Sequence, residues 1–391
     1  MNPRIYTRRS HQNSEVRNQK AAFLIAALVF LLSALSCHAS SGTEGAAFLD
    51  IPVGAGPAAL GSAYSALAHD AYAPIYNPAG LGFLTSPQVA AQHLSYLESI
   101  TYEFGSLVIP LTRPSSALSQ GRGALGGSVQ YLGSGDITGT NPDGTSAPNY
   151  SAHYAAYSLA YGQKITDNLA LGLTGKAINA KIAEVSATAY AADLGAMMQA
   201  TDRLALAATL NNLGSKLIFD SQGDALPMAF HLGAAYRFEN HLKSTVEGVY
   251  SKTGLLSGRI GTEWSPLEAI SLRAGYKTDT IKELSALAGL TVGMGIHIFG
   301  QEFAYAWLPY GDLGDTQYFS LLLKFGAKEE ERQNLIQNQD IKKHRTAKER
   351  TTGTMTPDAT STDDPEYNQL MQLLDENKEP VAQSKTVGQG Q

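Results

Sequence analysis

The sequence predicts an all-β fold, a closed antiparallel transmembrane β-barrel of about fourteen strands, and three observations lead there. Between residues 88 and 325 apolar residues alternate with small or polar ones, as in Leu169, Leu171 and Leu173 against Ala170, Gly172 and Thr174. A strand's two-residue period sends such sets to opposite faces. Tight polar turns of the Thr166-Asp167-Asn168 kind return at Thr201-Asp202-Arg203, Glu239-Asn240-His241 and Ser265-Pro266. Their spacing of roughly 25–40 residues suits two crossing strands and a loop. Charged residues make up 16% of the 391, against about 25% in an average soluble protein. Glycine (38) and tyrosine (19) are plentiful, and no apolar run after Leu35 reaches the roughly 18–20 residues of a spanning helix. This balance fits an outer-membrane barrel, and the net charge of -6 gives no hint of nucleic-acid binding.

Residues 1–39 read as a cleavable secretory signal: a basic front with Arg4, Arg8, Arg9, Arg17 and Lys20, an apolar run over 21–35, and small residues ahead of Ser40. Cys37 is the only cysteine. Ala34-Leu35-Ser36-Cys37 loosely resembles a lipobox, but leucine is usual where Ala34 stands, so cleavage after Ala39 is favoured over lipidation of Cys37. Such cleavage leaves a chain with no thiol and no disulfide.

Residues 40–87 do not alternate. Gly54, Gly56 and Ala59 spell a GxGxxA string, but no strand precedes it and Pro52 and Pro57 interrupt it, so packing rather than dinucleotide binding is expected. A short helix is expected over 58–68. Further on, Asn77 can cap a helical turn that has Pro78 at its first position.

Gly54, Ala58, Leu60 and Gly61, followed by Asn77, Pro78, Ala79, Gly80 and Leu81 ahead of antiparallel strands, resemble the PorV/PorQ proteins and their wider FadL/TodX relatives. The resemblance implies that 40–87 form a small N-terminal helical plug, or hatch, before the first strand of a fourteen-stranded barrel. It also implies a non-enzymatic role in protein secretion or surface attachment of the type IX kind, with secreted proteins or other secretion components as partners beside outer-membrane lipid. The alternative is FadL-like passive uptake of a hydrophobic small molecule. Uptake calls for an apolar pocket beside the plug and a lateral gap in the wall; a secretion shuttle calls for wide external loops. A barrel with neither activity is the third class.

The strand candidates are 88–96, 101–111, 124–132, 153–164, 169–180, 188–200, 204–211, 228–238, 242–250, 258–264, 270–277, 285–298, 302–309 and 317–325. Short turns follow every second strand from the fourth onward, and most connections between them are longer. Barrels of this kind keep short turns in the periplasm, so both termini are expected there. The polar stretch 112–123 is the one long connection on that side. Phe238, Trp264, Phe303 and Phe325 fall beside the short turns as one aromatic girdle, with Tyr250, Tyr276 and Tyr310 for the other. Residues 327–391, with Glu329-Glu330-Glu331 and a Thr/Asp/Pro segment, cannot build a core and are expected to be a disordered periplasmic tail.

No catalytic, cofactor or metal signature survives: there is no HExxH, no GxSxG and no paired ligand spacing. Asp136, Asn141 and Asp143 read as turn formers rather than cation ligands. The constellation that stands out is Glu247, Arg259, Glu263, Arg273 and Lys277, with His231 and Arg237 nearby. Strand parity turns all of them inward, because a charge facing lipid at mid-depth costs roughly 2–4 kcal/mol. They read either as a ladder of lumenal ion pairs holding barrel and plug together or as the polar lining of a conduit.

Overall fold

The computed structural model describes residues 44–96, 99–111, 123–253, 256–279 and 286–326. The expected signal at 1–39, the connection at 112–122 and the tail at 327–391 lie outside the described residues.

The alternating segments form strands where the pattern places them. In chain order these are β1 (Gln88–Ser95), β2 (Thr101–Leu111), β3 (Gly123–Gly133), β4 (Ile137–Thr140), β5 (Ser146–Tyr150), β6 (Ala152–Lys164), β7 (Leu169–Ile182), β8 (Val185–Gln199) and β9 (Leu204–Gly214). There follow β10 (Lys216–Phe219), β11 (Gln222–Ala225), β12 (Ala229–Arg237), β13 (Leu242–Ser251), β14 (Leu256–Leu267), β15 (Ile270–Lys277), β16 (Leu290–Ile298), β17 (Gln301–Pro309) and β18 (Asp315–Lys324). Among the described residues fourteen of them close an antiparallel barrel, shut by β1 against β18 with Gln88 opposite Lys324. The remaining four form two separate hairpins, β4–β5 and β10–β11, inside long connections where the alternation predicts only loops. The strand expected to begin at 285 begins at Leu290, because Ala286–Gly289 take a 3-10 turn first.

Exposed side chains such as Leu107, Leu159, Leu173 and Ile260 alternate along the wall with buried ones such as Val108, Ala160 and Thr174. With the outer face apolar and, among the described residues, each of the fourteen wall strands paired on both sides, the backbone ladders are met within the wall, as a membrane-spanning sheet requires. Phe238, Trp264, Phe303 and Phe325 are exposed beside the short turns, and Tyr250 is exposed at the other rim. Tyr310 departs from the expected girdle: it is buried, edge-on to Tyr96 at 6.0 Å, with the Lys277 ammonium 5.5 Å from its ring.

Residues 44–84 run down the bore. At the rim of the long connections Ser251 Oγ donates to Glu44 (3.2 Å) and Gly45 N to Ala225 O (2.8 Å). At the short-turn rim the Lys164 ammonium lies 5.0 Å over Phe83, and Phe325 N donates to Pro87 O. Gln88 and Lys324 thus share one rim, whereas Glu44 stands at the opposite one. The reason is spatial: a segment that fills the bore and feeds β1 at the short-turn rim must come from the far end.

Within it lie α1 (Ala55–Ala59) and α2 (Ala73–Tyr76), with 3-10 turns at Ala47–Asp50 and Pro78–Phe83. The helix expected over 58–68 ends instead at Leu60, because Gly61 and Ser62 adopt φ of 62° and 61°. Gly61 lies so close to the wall that a Cβ there would sit 2.9 Å from the carbonyl oxygens of Ile260 and Tyr276. Only glycine combines that dihedral with that clearance.

Candidate functional site

The functional question sits at the contact between the inner segment and the wall. A segment of turns carries many backbone groups that no ladder satisfies, and buried ones need partners. The wall supplies them from inward positions. Thr245 Oγ1 donates to Ala63 O (2.9 Å), Thr291 Oγ1 to Ala59 O (2.9 Å), Thr174 Oγ1 to Pro74 O (3.1 Å) and Ser106 Oγ to Ala71 O (2.7 Å). Ser320 Oγ accepts from Ala55 N (3.0 Å), and Gln92 Oε1 accepts from Gly54 N.

The charged constellation resolves into two groups on β12 to β15. In the first, Glu247 Oε1 meets His231 Nδ1 at 2.8 Å, while its Oε2 accepts from Ser65 N (2.9 Å) and Ser65 Oγ (2.5 Å). Arg259 lies 3.9 Å from Glu247 and 3.1 Å from Asp279, and Lys277 lies 3.9 Å from Asp279. In the second, Glu263 is held between Lys243 (2.6 Å) and Arg273 (2.8 Å), and Arg273 reaches on to Glu302 (2.5 Å). Arg237 belongs to neither group and is exposed at the short-turn rim. All seven named side chains lie on the bore side of the wall or at its rim. Those in the two groups are engaged with one another.

A third buried pair had no place in the sequence reading. Lys176 on β7 and Asp193 on β8 meet at 2.8 Å with side chains 3% and 0% exposed. The same ammonium donates to Asn212 Oδ1 (2.8 Å), and Asn212 N donates to Asp193 Oδ1 (2.7 Å). Asn212 takes φ 58° where the β8–β9 register shifts, so the pair pins a bulge.

Next to it sits the turn that carries the family resemblance. Asn77 Oδ1 accepts from Ala79 N (3.1 Å), as the expected cap, and its Nδ2 donates to Ser65 O (3.0 Å) and Ala196 O (3.2 Å). The 3-10 turn it opens runs through Gly80 and Leu81 to Phe83, all but Phe83 buried. Pro78 and Ala79 press on the wall where it has no side chains. A Cβ at Gly172 would fall 2.2 Å from Pro78 C, and one at Gly195 would fall 2.2 Å from Asn77 Oδ1. On the far side of that strip, facing out, is an apolar groove of about 540 Å³ whose sides include Leu171, Leu173, Leu194, Leu210 and Phe230. One backbone thickness separates the inner turn from the groove.

Asp136, Asn141 and Asp143 fall in or beside the β4–β5 hairpin. Thr145 N and Oγ1 donate to Asp143 Oδ1 (3.0 and 2.6 Å), which holds that carboxyl below its ordinary range, and Asn141 Nδ2 donates to Thr145 Oγ1 (3.0 Å). That is turn formation. No group of three or more metal-ligating side chains converges among the described residues. Parity alone could have nominated Lys243, Glu302 and the inward hydroxyls. Asp279 lies past a strand end and Ser65 in a turn, where parity has no hold.

No protein-family model matches the chain, and no curated protein does. Among solved structures, the toluene transporter TodX of Pseudomonas putida is similar at 12% identity and a TM-score of 0.43, over 64% of this chain and 91% of that one. A FadL homologue of Pseudomonas aeruginosa is similar at 12% identity and a TM-score of 0.42, over 69% and 96%. The KdgM porin is similar at 10% and 0.31, over 61% and 99%.

Proposed function

We propose that the chain is an outer-membrane barrel that carries small hydrophobic molecules and exchanges them with the membrane through its side. The observation behind this reading is the glycine-lined strip of β7 and β8. There the Asn77-Pro78-Ala79 turn lies on one face and an apolar groove on the other, with no side chain between them. A hydrophobic solute leaves a barrel most easily into lipid, since exit along a polar bore would require it to be rehydrated. Movement of the inner turn away from Gly172 and Gly195, together with parting of the β7–β8 ladder, would join bore and groove. The described structure is the closed form: Asn77 still holds the Ala196 carbonyl and the β7–β8 ladder is complete. With long connections outward, the short-turn rim faces the periplasm.

The secretion or attachment role implied by the motif calls for wide external connections. The longest described one, 134–151, is largely taken up by β4–β5, and the one holding β10–β11 buries Leu217. No feature of the described residues favours that role. The test is reconstitution of the full chain in vesicles with an environment-sensitive apolar dye outside. The expected result is dye entry faster than into protein-free vesicles. Equal rates would overturn the reading, as would co-purification of a secreted protein with no bound apolar compound.

A further inference from the structure

Around the short-turn rim the connections change character. Those after β6, β8 and β12 are polar: Thr166-Asp167-Asn168, Thr201-Asp202-Arg203 and Glu239-Asn240-His241. Between β16 and β17 stands Phe299-Gly300 instead, with Phe299 91% exposed and Ile298 exposed beside it. Asn240 and His241 take φ of 64° and 58°, and Phe299 and Gly300 take 52° and 77°, so both turns are built on a left-handed pair. Such pairs favour Asn, Asp or Gly, which tolerate positive φ. A phenylalanine there accepts backbone strain and gains almost no burial within the protein.

The apolar tip is tied to its neighbours on both sides. His297 N donates to Ala269 O (2.9 Å), which joins it to the β14–β15 connection and its exposed Leu267. Gln301 Nε2 donates to Lys324 O (2.9 Å) and Gln301 Oε1 accepts from Lys324 N (2.6 Å), next to the exposed Phe325. The outward-facing amide of Gln301 thus spends both its ends on backbone, and Glu268 on the adjoining turn is the charged side chain at the border. Strand lengths agree with this placement. β15, β16 and β17 have 8, 9 and 9 residues, against 14 and 15 in β7 and β8. A crossing strand needs about 9–11 residues, so on this side the hydrocarbon extends to the strand ends.

We propose that the Ile298-Phe299-Gly300 turn is a membrane anchor that dips into the bilayer leaflet at the short-turn rim, with the Phe299 ring at the boundary of headgroups and acyl chains. Lipid is the occupant because the patch continues the exposed apolar face of Ile296 and Phe303 past the end of the wall without a break. Removing a phenylalanine ring from water is favourable, and here lipid supplies the cover that the protein does not. The polar turns after β6, β8 and β12 stay in water, so the anchor sets how deep this side of the barrel sits. The proposal requires only a membrane-spanning barrel, and the transport reading can fail without it.

The experiment uses the full chain carrying W264F and W307F, which removes both tryptophans. To it is added F299W or, as the reference in a polar turn, N240W. Each is reconstituted into phosphatidylcholine vesicles with plain or brominated acyl chains, bromine being a contact quencher, and each is titrated with acrylamide from the water. The expected result is that F299W fluoresces at least about twofold less in brominated than in plain vesicles and resists acrylamide, whereas N240W shows the reverse. L267W on the adjoining connection should behave as F299W does, and stands in for it if that variant does not fold. Equal fluorescence in the two kinds of vesicle, or acrylamide quenching as strong as that of N240W, would overturn the proposal. So would resistance to acrylamide without bromine quenching, which would mean that a second copy of the chain covers the turn.

Discussion

Ser65 donates to one oxygen of Glu247 twice, from its backbone N at 2.9 Å and its Oγ at 2.5 Å, and the carboxylate so engaged is 1% exposed. The inner segment is therefore tied to β13 through a side chain whose other oxygen faces His231. Replacing Glu247 with alanine leaves the Ser65 N–H, the Ser65 hydroxyl and His231 without that acceptor. A buried donor left unpaired costs about 1–3 kcal/mol. Glu247→Ala should lower the temperature at which the folded band unfolds on a detergent gel, with Glu247→Gln between it and the parent.

The Lys176–Asp193 pair offers a sharper contrast. Breaking a buried ion pair by removing one partner costs about 3–5 kcal/mol, whereas replacing both by apolar groups is often close to neutral. K176M and D193L should each shift the urea midpoint of vesicle-embedded barrel strongly downward. The double variant should lose less than the sum of the two, and a double-mutant cycle measures the coupling.

Gly195 and Ala196 are neighbours on opposite faces of β8. A Cβ on Gly195 would meet Asn77 Oδ1 at 2.2 Å, so Gly195→Val must push the inner turn off the wall. Ala196 lines the outer groove, so Ala196→Phe fills it. Under the transport reading Gly195→Val raises ion leak through barrels in planar bilayers. Ala196→Phe leaves conductance unchanged and slows dye entry.

Asn77→Ala removes a cap on Ala79 N and the donors to Ser65 O and Ala196 O. The loss of the cap alone costs about 0.5–2 kcal/mol. The expected outcome is faster hydrogen exchange at Ala79 and Gly80 while the β7–β8 ladder stays protected.

Much of the wall was readable because a two-residue period has only two phases. Once Leu169, Leu171 and Leu173 face lipid, the inward set follows, and so do Arg259, Glu263 and Arg273. The inner segment has no such period. Its path is fixed by turns such as Gly61-Ser62 and by contacts to inward hydroxyls of β2, β7, β13 and β16, none of them local in sequence. The hairpins β4–β5 and β10–β11 escaped notice for a related reason: each strand is four or five residues long, too short for alternation to register. The bulge at Asn212 needed the Asp193 carboxylate from another strand to declare itself.

The passage of residues 44–84 from one rim to the other constrains assembly. The ring cannot shut and then be filled, since a free end would have to be drawn through a packed cylinder. Strands β1 and β18 are then expected to zip together around a core already laid down, with that seam the last to form. A passenger joined ahead of Glu44 would then ride to the face of the membrane away from Phe325.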